Sequence, residues 1–242
     1  MIAVWFSYGA ASAVALKLTV DRYGKEEVRA VNNPVVEEHP DNLRFGAEVS
    51  EWVGVPIELA VNSNYPHCSA SKVWEQRGAM AFPHGAPCTV HLKKEARQQW
   101  EQKNKPDYHV LGFTADEKSR HEKFVLTERE NVLPILIEAG LTKEDCIRVL
   151  QGEGIKPPEP YQLGYPNANC LGCVKATSPT YWNLVRQTHP EVFEERAKQS
   201  RELGVRLVRV KGRRIFLDEL DPKAKGYKLK SMPDCNSFCE ER

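Results

Sequence analysis

Short apolar runs alternate with longer amphipathic segments through the first two thirds of the chain. A short apolar run bounded by turn residues is typical of a strand that is buried on both faces, whereas a 3.6-residue apolar period indicates a helix. The pattern predicts strands at 2–6, 28–31, 57–61 and 108–113. It predicts helices that begin near Ser12 and lie at about 41–52, 72–77, 89–102 and 142–151, with Asp41 as an N-cap. Repeated βα units of this kind predict an α/β fold with a doubly wound, mostly parallel sheet.

The second part of the chain has a different pattern. The proline-rich stretch 154–160 cannot lie inside a helix and predicts a boundary between an α/β domain (1–153) and a C-terminal, cysteine-bearing helical extension (154–242). Helices are predicted there at 179–187 and 190–203, followed by a strand at 205–210 and an irregular, lysine-rich tail. Two stretches of the first part are less regular: 133–137 fits a strand or the lead into a helix, and 114–120 is expected to be a charged loop.

The first strand leads through a turn of small residues directly into a helix. The turn and the start of the helix comprise Ser7, Tyr8, Gly9, Ala10, Ala11 and Ser12. Backbone amides, two hydroxyl groups and the positive end of a helix dipole meet at this point, which suits a phosphate or sulfate group. The alternative is an ordinary strand–turn–helix in which Ser12 caps its helix.

Composition narrows the class of protein. The net charge of +1 gives no global argument for nucleic acid, although it leaves room for a local basic groove. Apolar runs are too short to span a membrane, and no basic segment precedes the first strand, so neither a membrane partner nor a secretory signal is expected. Seven cysteines in such a chain favour a reducing, cytoplasmic location, where cysteines more often bind metals or perform redox chemistry than form disulfides.

The cysteine spacing suggests a metal site. Cys170 and Cys173 form a CxxC pair in a loop of turn residues, and such a pair can place both sulfurs on one metal ion or cluster. Cys88 and one tail cysteine, Cys235 or Cys239, would complete a set of four that suits either zinc or a [4Fe–4S] cluster. The alternative for Cys170 and Cys173 is a redox-active or unpaired thiol pair, and Cys146 is expected to be a small buried apolar residue.

Five blocks, in order, resemble the PAPS reductase (sulfonucleotide reductase) family of the PP-loop, or adenine nucleotide alpha hydrolase-like, superfamily. The resemblance covers roughly residues 1–175, block by block. The blocks are FSYGAASAVALKL, VNNPVVEEHPDN, GAPCTVHLKK, GFTADEKSR and GYPNANCLGC. The resemblance implies a Rossmann-like PP-loop fold and an adenine nucleotide as substrate.

The resemblance also implies roles for individual residues. The 7–12 loop would hold phosphate or sulfate, with Asn32 beside the adenosine. Lys93, Lys94 and Arg120 would supply positive charge, although Lys93 and Lys94 fit a solvated helix face equally well. Cys88, Cys170 and Cys173 would bind the cluster, with Cys235, a substrate or a sulfide as the fourth ligand.

The chain departs from the family at several places. The usual Asp-Thr-Gly is absent from the VNNPVVEEHPDN block, and Cys88 stands alone where the cluster-bearing members have two adjacent cysteines. Tyr8 and Ala11 replace the second glycine and the aspartate of ATP-cleaving loops. Cys239 has a position comparable to the attacking cysteine of the reductases but lacks their Glu-Cys-Gly-Leu-His motif.

Three functions follow as hypotheses. The first is reduction of PAPS or APS to sulfite with a thioredoxin-like reductant. The second is an ATP-dependent sulfurtransferase or adenylating enzyme that acts on a nucleobase or on DNA. The third is a nucleotide-binding or zinc-stabilised module without chemistry. The oligomeric state is not fixed by the sequence, and a dimer is compatible with it.

Overall fold

The computed structural model describes residues 1–82, 85–227 and 229. Its centre is a five-stranded sheet in the order β3-β2-β1-β4-β5, and every neighbouring pair is parallel. The strands are β1 (Ile2–Trp5), β2 (Val28–Asn32), β3 (Ile57–Leu59), β4 (Tyr108–Val110) and β5 (Val132–Leu133). The predicted α/β fold with a doubly wound, mostly parallel sheet is confirmed.

Helices connect the strands and form most of the C-terminal part. Those that alternate with the sheet are α1 (Ala10–Tyr23), α2 (Asp41–Val53), α3 (Ala70–Arg77), α4 (Glu95–Asn104), α5 (Lys118–Thr127), α6 (Ile135–Glu138) and α7 (Lys143–Gly152). The remaining helices are α8 (Glu159–Gln162), α9 (Pro179–Thr188) and α10 (Pro190–Glu202). A two-stranded antiparallel hairpin, β6 (Val208–Val210) and β7 (Arg213–Ile215), follows them.

The apolar pattern of β1 explains its central position. All four of its residues are buried, as expected for a strand with a neighbour on each side and helices on both faces. Ile2 pairs with Val28 of β2 and with Tyr108 of β4. The chain leaves β1 toward β2 but reaches β4 only much later, so the strand order reverses between β1 and β4. In open α/β sheets, ligands bind at the carboxyl ends of the strands at such a switch point.

Several elements differ from their sequence predictions. Asp41 is the first residue of α2, and Pro40 is the N-cap. The predicted helix at 89–102 is a π-helical segment, Thr89–Lys94, that continues into α4. The charged stretch 114–120 is a 3₁₀ turn, Ala115–Glu117, followed by the start of α5. Part of the region predicted to be an irregular tail forms β7.

The chain divides into two compact units that are each discontinuous in sequence. The first unit comprises Met1–Pro34, Pro40–Asn62 and Ala96–Glu159; the second comprises Val35–His39, Ser63–Glu95 and Pro160–Arg242. The sequence places a boundary at 153/154, and the last crossing of the chain is at 159/160. Residues 35–39 and 63–95 group with the C-terminal part because the apolar cluster of the second unit includes Val35, Val73 and Leu92.

Within the described part of the chain, no helix is long and apolar enough to cross a membrane.

Candidate functional site

The 7–12 loop lies at the switch point of the first unit. β1 ends at Trp5, and α1 begins at Ala10 with Gly9 as its N-cap. No side chain caps this end of α1, and its first turn contains no acidic residue. The first amides of a helix have no acceptor within the helix, so they and the helix dipole favour an anion at this end.

Ser12 stabilises the loop and does not cap the helix. Its hydroxyl donates to the carbonyl of Gly9 (2.9 Å) and accepts from the amide of Ser7 (3.2 Å). The hydroxyl oxygens of Ser7 and Ser12 are 3.2 Å apart. Since a serine hydroxyl has one proton to donate, that of Ser12 is fully engaged within the loop. With that proton on Gly9, Ser7 is the donor in the contact between the two hydroxyls. Because Ser7 is only half-buried, its hydroxyl can exchange this hydrogen bond for one to a ligand. The N-cap of α1 is thus Gly9, and the predicted capping role of Ser12 is wrong.

Tyr8 turns the chain between β1 and α1 in a conformation that is unusual for a residue with a side chain. Its φ is 58°, in the left-handed region that favours glycine. The ring is buried, packs edge-on against Phe6 and lies against Gly46 of α2, where an added Cβ would be 2.5 Å from Tyr8 Cε1. The packing of the ring therefore holds the loop in a backbone conformation that glycine adopts most easily.

Gly112, just after β4, permits close contact with the 7–12 loop. A Cβ at this position would lie 2.9 Å from the backbone nitrogen of Ser12 and 3.2 Å from the carbonyl carbon of Ala11. Both of these atoms belong to the backbone, so a side chain at position 112 would push the loop itself. The segment after β4 therefore forms one side of the loop, as expected at the switch point.

Asn32 lies at the carboxyl end of β2, next to β1. Its Nδ2 donates to the carbonyl of Phe6 at 2.7 Å, so it is tied to the residue that precedes the loop. The residue is only 1% exposed, and its Oδ1 has no hydrogen-bond partner in the described part of the protein. A buried amide oxygen without a partner is costly, and a hydroxyl or amino group of a ligand would satisfy it.

Arg120 also belongs to the first unit, but its guanidinium is already engaged. It forms an ion pair with Glu117 and lies over the ring of Phe113, with its central carbon 5.5 Å from the ring centroid. Glu117 in turn completes a capping box with Thr114. Arg120 would have to exchange Glu117 for an anionic ligand.

Lys93 and Lys94 belong to the second unit. The side chain of Lys93 is 5% exposed and pairs with Glu38 at 3.1 Å, so the alternative that it lies on a solvated helix face is wrong. Lys94 is half-buried at the end of the π-helical segment. The charge of Lys93 is therefore compensated inside the protein.

The helix end of α3 in the second unit contrasts with that of α1. The carboxylate of Glu37 accepts from the Ser69 hydroxyl (2.8 Å) and from the amides of Ala70 (2.8 Å) and Ser71 (3.0 Å). Burial raises the pKa of Glu37, but these hydrogen bonds outweigh burial and hold the pKa below its usual value. The anion site of α3 is thus filled by the protein itself.

Cys170 and Cys173 lie in a tightly held loop, the cysteine loop (residues 170–173). The buried hydroxyl of Tyr181 accepts from the amide of Cys173 at 2.8 Å and donates to the carbonyl of Cys170 at 3.4 Å. Burial raises the pKa of Tyr181 well above its usual value, so it stays protonated as a donor. The amide of Leu171 donates to the carbonyl of Glu37 at 2.9 Å. Both cysteines are therefore positioned by the fold of the second unit.

The other cysteines divide into two groups. Cys88 and Cys170 pack against the apolar cluster that contains Cys173, so all three belong to one unit. Cys68, which lies outside the predicted metal set, is in this unit too. Burial raises the pKa of Cys68, and the charge of Lys93 opposes that effect. Cys146 is fully buried in the first unit, and burial raises its pKa to about 12, which confirms that it is a small buried residue.

The predicted metal set remains a prediction. Among residues 1–82, 85–227 and 229, no group of three or more His, Cys, Asp or Glu side chains is arranged to hold a metal ion. Three thiols of one unit nevertheless have the donor chemistry that zinc or an iron–sulfur cluster prefers. Cys235, the predicted fourth ligand, and Cys239, the predicted nucleophile, lie outside the described residues.

Some features of the site have weak or no sequence signals. Gly112 stands in the GFTADEKSR block, but its contact with Ser12 depends on strand order. Glu38, the partner of Lys93, is far from it in sequence, so nothing local marks the pair.

No protein-family model matches the chain. No curated protein matches it either.

Proposed function

We propose that this protein binds an adenine nucleotide at the 7–12 loop and performs sulfur chemistry on it, with reduction of PAPS or APS to sulfite as the reaction. The single observation that carries the proposal is the position of the loop: an uncapped helix end without acidic residues, at the switch point of a parallel sheet. The five sequence blocks that resemble the PAPS reductase family support the nucleotide and the sulfur chemistry.

Each part of the loop has a role in this proposal. The first-turn amides of α1 and the hydroxyl of Ser7 donate to a phosphate or sulfate oxygen. Ser12 and the contact of Gly112 with the backbone keep these donors in place. Asn32 offers its Oδ1 to a hydroxyl or amino group of the nucleoside. Because the donors are held before the ligand arrives, little free energy is lost in ordering them.

The reductive step needs a thiolate, and the sequence position of Cys239 makes it the candidate. Its sulfur would attack the sulfur of the sulfonucleotide, forming an S–S bond as the S–O bond to the phosphate breaks and the nucleotide leaves. A dithiol reductant of the thioredoxin type would then release sulfite, regenerate the Cys239 thiol and be oxidised to a disulfide. Cys88, Cys170 and Cys173 would hold a [4Fe–4S] cluster or zinc, and a cluster held there would supply iron that can interact with sulfur-containing groups.

A second candidate is an ATP-dependent sulfurtransferase that adenylates a nucleobase or nucleic acid. The observation that favours it is that three thiols, Cys88, Cys170 and Cys173, belong to one unit and pack on one apolar cluster. Three protein ligands would leave one iron of a cluster open for an additional sulfide. In this case the nucleotide is ATP, and AMP is released only when an acceptor is present.

The test is anaerobic purification with iron, zinc and sulfide analysis, followed by calorimetric binding of ATP, APS, PAPS and AMP. We expect tighter binding of PAPS or APS than of AMP, and release of sulfite with a dithiol reductant.

Ser7→Ala should weaken binding of the nucleotide about tenfold. Ser50→Ala is the control, since the Ser50 hydroxyl belongs to the same unit and donates to the carbonyl of Val55, outside the 7–12 loop. Binding of PAPS and APS no better than AMP would overturn the reductase proposal, and acceptor-dependent conversion of ATP to AMP would establish the second candidate.

A further inference from the structure

The β6–β7 hairpin is the most basic exposed element of the second unit. Residues 204–215 contain five basic residues and no acidic ones. The five, all exposed, are Arg206, Arg209, Lys211, Arg213 and Arg214. The whole chain has a net charge of only +1, so this hairpin is a local concentration of positive charge. We call this segment the basic hairpin (residues 206–215).

These cations have no carboxylate partners. Within the part of the chain that the structure describes, none of the five forms an ion pair. The nearby carboxylates of Asp218 and Glu219 are both engaged by Arg201, at 2.8 Å each. The guanidinium of Arg206 instead lies over the ring of Phe216, 5.1 Å from its centroid. Five surface cations without a neighbouring carboxylate create a local positive potential that attracts anions.

The fold of the hairpin holds like charges opposite each other. Arg209 pairs directly with Arg214 across the two strands, an arrangement that destabilises a hairpin. Burial and the charge of Arg209 lower the pKa of Arg214. The guanidinium of Arg214 donates to the carbonyl of Arg206 at 3.3 Å, which does not neutralise its charge. A bound polyanion would relieve this repulsion.

The backbone of the hairpin closes in a tight turn and places Arg209 and Arg214 on its outer face. Lys211 and Gly212 form a two-residue turn with φ of 47° and 81°, the geometry that tight hairpins require. Val208, Val210 and Ile215 pack in or against the apolar cluster of the unit, so the face with Arg209 and Arg214 points away from it. The amide of Arg209 also donates to the carbonyl of Thr177 at 2.8 Å, which ties the hairpin to the segment after the cysteine loop.

The side chains and the shape of the hairpin favour one class of polyanionic ligand over the others. It exposes no large apolar side chain that could enter a lipid surface, which argues against a membrane. It carries no aromatic residue on which single-stranded bases could stack. Four of its five cations are arginines, which bind phosphates in a bidentate manner. A two-stranded ribbon fits the major groove of B-form DNA, whereas the deep groove of duplex RNA is too narrow.

We propose that the basic hairpin is a docking surface for the phosphate backbone of duplex DNA. This goes beyond the proposed function, because it uses a surface of the second unit that neither nucleotide binding nor the cysteines involve. The contacts are to phosphates, so binding depends on charge and on salt more than on base sequence.

The test measures binding of the full chain to a fluorescein-labelled 20-bp DNA duplex by anisotropy, at several salt concentrations. We expect micromolar affinity at low salt, and Arg209→Gln with Arg214→Gln should lower it at least tenfold and reduce the salt slope by about 2. The same result is expected for Lys211→Gln with Arg213→Gln, whose side chains make no hydrogen bonds among the described residues. The matched control is Arg148→Gln with Lys198→Gln, two exposed cations that are paired with Asp145 and Glu202. It removes the same charge and should change the affinity less than threefold.

The same binding assay with other polyanions tests whether the hairpin prefers duplex DNA. Equal-length single-stranded DNA, duplex RNA and phosphatidylserine vesicles should all bind more weakly than duplex DNA. Tighter binding of vesicles or of single strands, an equal loss in the control variant, or no duplex binding at low salt would overturn the proposal. Circular dichroism of each variant checks folding. ATP and PAPS binding measured on the same variants should be unchanged, so failure of this proposal is distinguishable from failure of the proposed nucleotide site.

Discussion

The 7–12 loop and the basic hairpin both suit phosphate groups, but their positive potential has different sources. The loop contains no charged side chain and relies on amides, hydroxyls and a helix end that are fixed by internal contacts. The hairpin carries five formal charges on exposed side chains that form no ion pair among the described residues. Fixed neutral donors recognise one group in one orientation, whereas exposed charges attract any polyanion and are screened by salt. The difference indicates selectivity at the loop and general attraction at the hairpin.

The largest expected difference between the loop and the basic hairpin is the salt dependence of ligand binding. With four or five phosphates contacted, the dissociation constant for duplex DNA should rise about 10²-fold between 50 and 200 mM salt. Nucleotide binding at the loop should change less than threefold over the same range, because no charged side chain supplies its donors. Parallel titrations by anisotropy and calorimetry check this. A nucleotide affinity as salt-dependent as that for DNA would mean that charged residues such as Arg120 dominate the loop as well.

Gly112→Ala should disable the loop and leave the hairpin unaffected. The added Cβ would be 2.9 Å from the Ser12 nitrogen, so the backbone of the loop must move. We expect nucleotide affinity to fall about 10- to 100-fold, with a destabilisation of about 1–3 kcal/mol. Gly152→Ala is the control, since a Cβ there meets nothing within 4 Å. DNA affinity should be the same in both variants, and an unchanged nucleotide affinity in Gly112→Ala would show that the loop is not the site.

Lowering the pH should weaken the sheet beneath the loop. Burial, with the nearby charges of Arg129 and Arg97, lowers the pKa of His109 on β4 to about 3. The unfolded chain therefore binds a proton at this residue below about pH 6.5 that the folded protein does not bind. The resulting stabilisation is complete above pH 6.5 and is lost as the pH falls toward 3.

The expected loss is about 2 kcal/mol between pH 7 and pH 5, measured by urea unfolding. His109→Gln removes the titrating group and should flatten this part of the profile. The amide can still accept from Trp5, whose indole nitrogen is 3.1 Å from His109 Nδ1. An equally steep profile in the variant would assign the pH dependence to other groups.

The smallest expected effect is the difference in thermal stability between the Ser7→Ala and Ser12→Ala variants. Ser12→Ala leaves the Ser7 amide and the Gly9 carbonyl without their side-chain partner, so it should cost about 1–2 kcal/mol and lower Tm by a few degrees. Ser7→Ala should leave Tm within about 1 °C and reduce only nucleotide affinity. Thermal unfolding with and without nucleotide compares them, and equal losses of Tm would contradict the separate roles.

The sequence predicts the fold well where local patterns decide it. The buried strands and the turn before α1 both have short-range signals. The hairpin strand Arg213–Ile215 was missed because its apolar alternation is too short to recognise, although Lys211-Gly212 is a plausible turn. The stretch 114–120 is predicted to be a loop because it is rich in charged residues. The signal for the helical turn at this place is the capping box of Thr114 and Glu117.

The candidate site is less predictable than the fold. The loop 7–12 is visible as a motif, but the saturated hydroxyl of Ser12 and the close approach of Gly112 depend on atoms from separate segments. The burial of Lys93 against Glu38 depends on two segments that are distant in sequence but belong to one unit. Such pairs are set by tertiary packing, which a single sequence does not encode locally.

The repeated crossing of the chain between the two units has a consequence for synthesis and for protein engineering. Translation completes the first unit at Glu159, but residues 63–95 of the second unit must wait for the segment that begins at Pro160. Until then, Trp74, Met80 and Leu92, which are buried in the finished protein, lack part of their apolar cluster. A nascent chain is therefore exposed to aggregation and to chaperone binding during this interval. Neither unit can be excised as one continuous fragment.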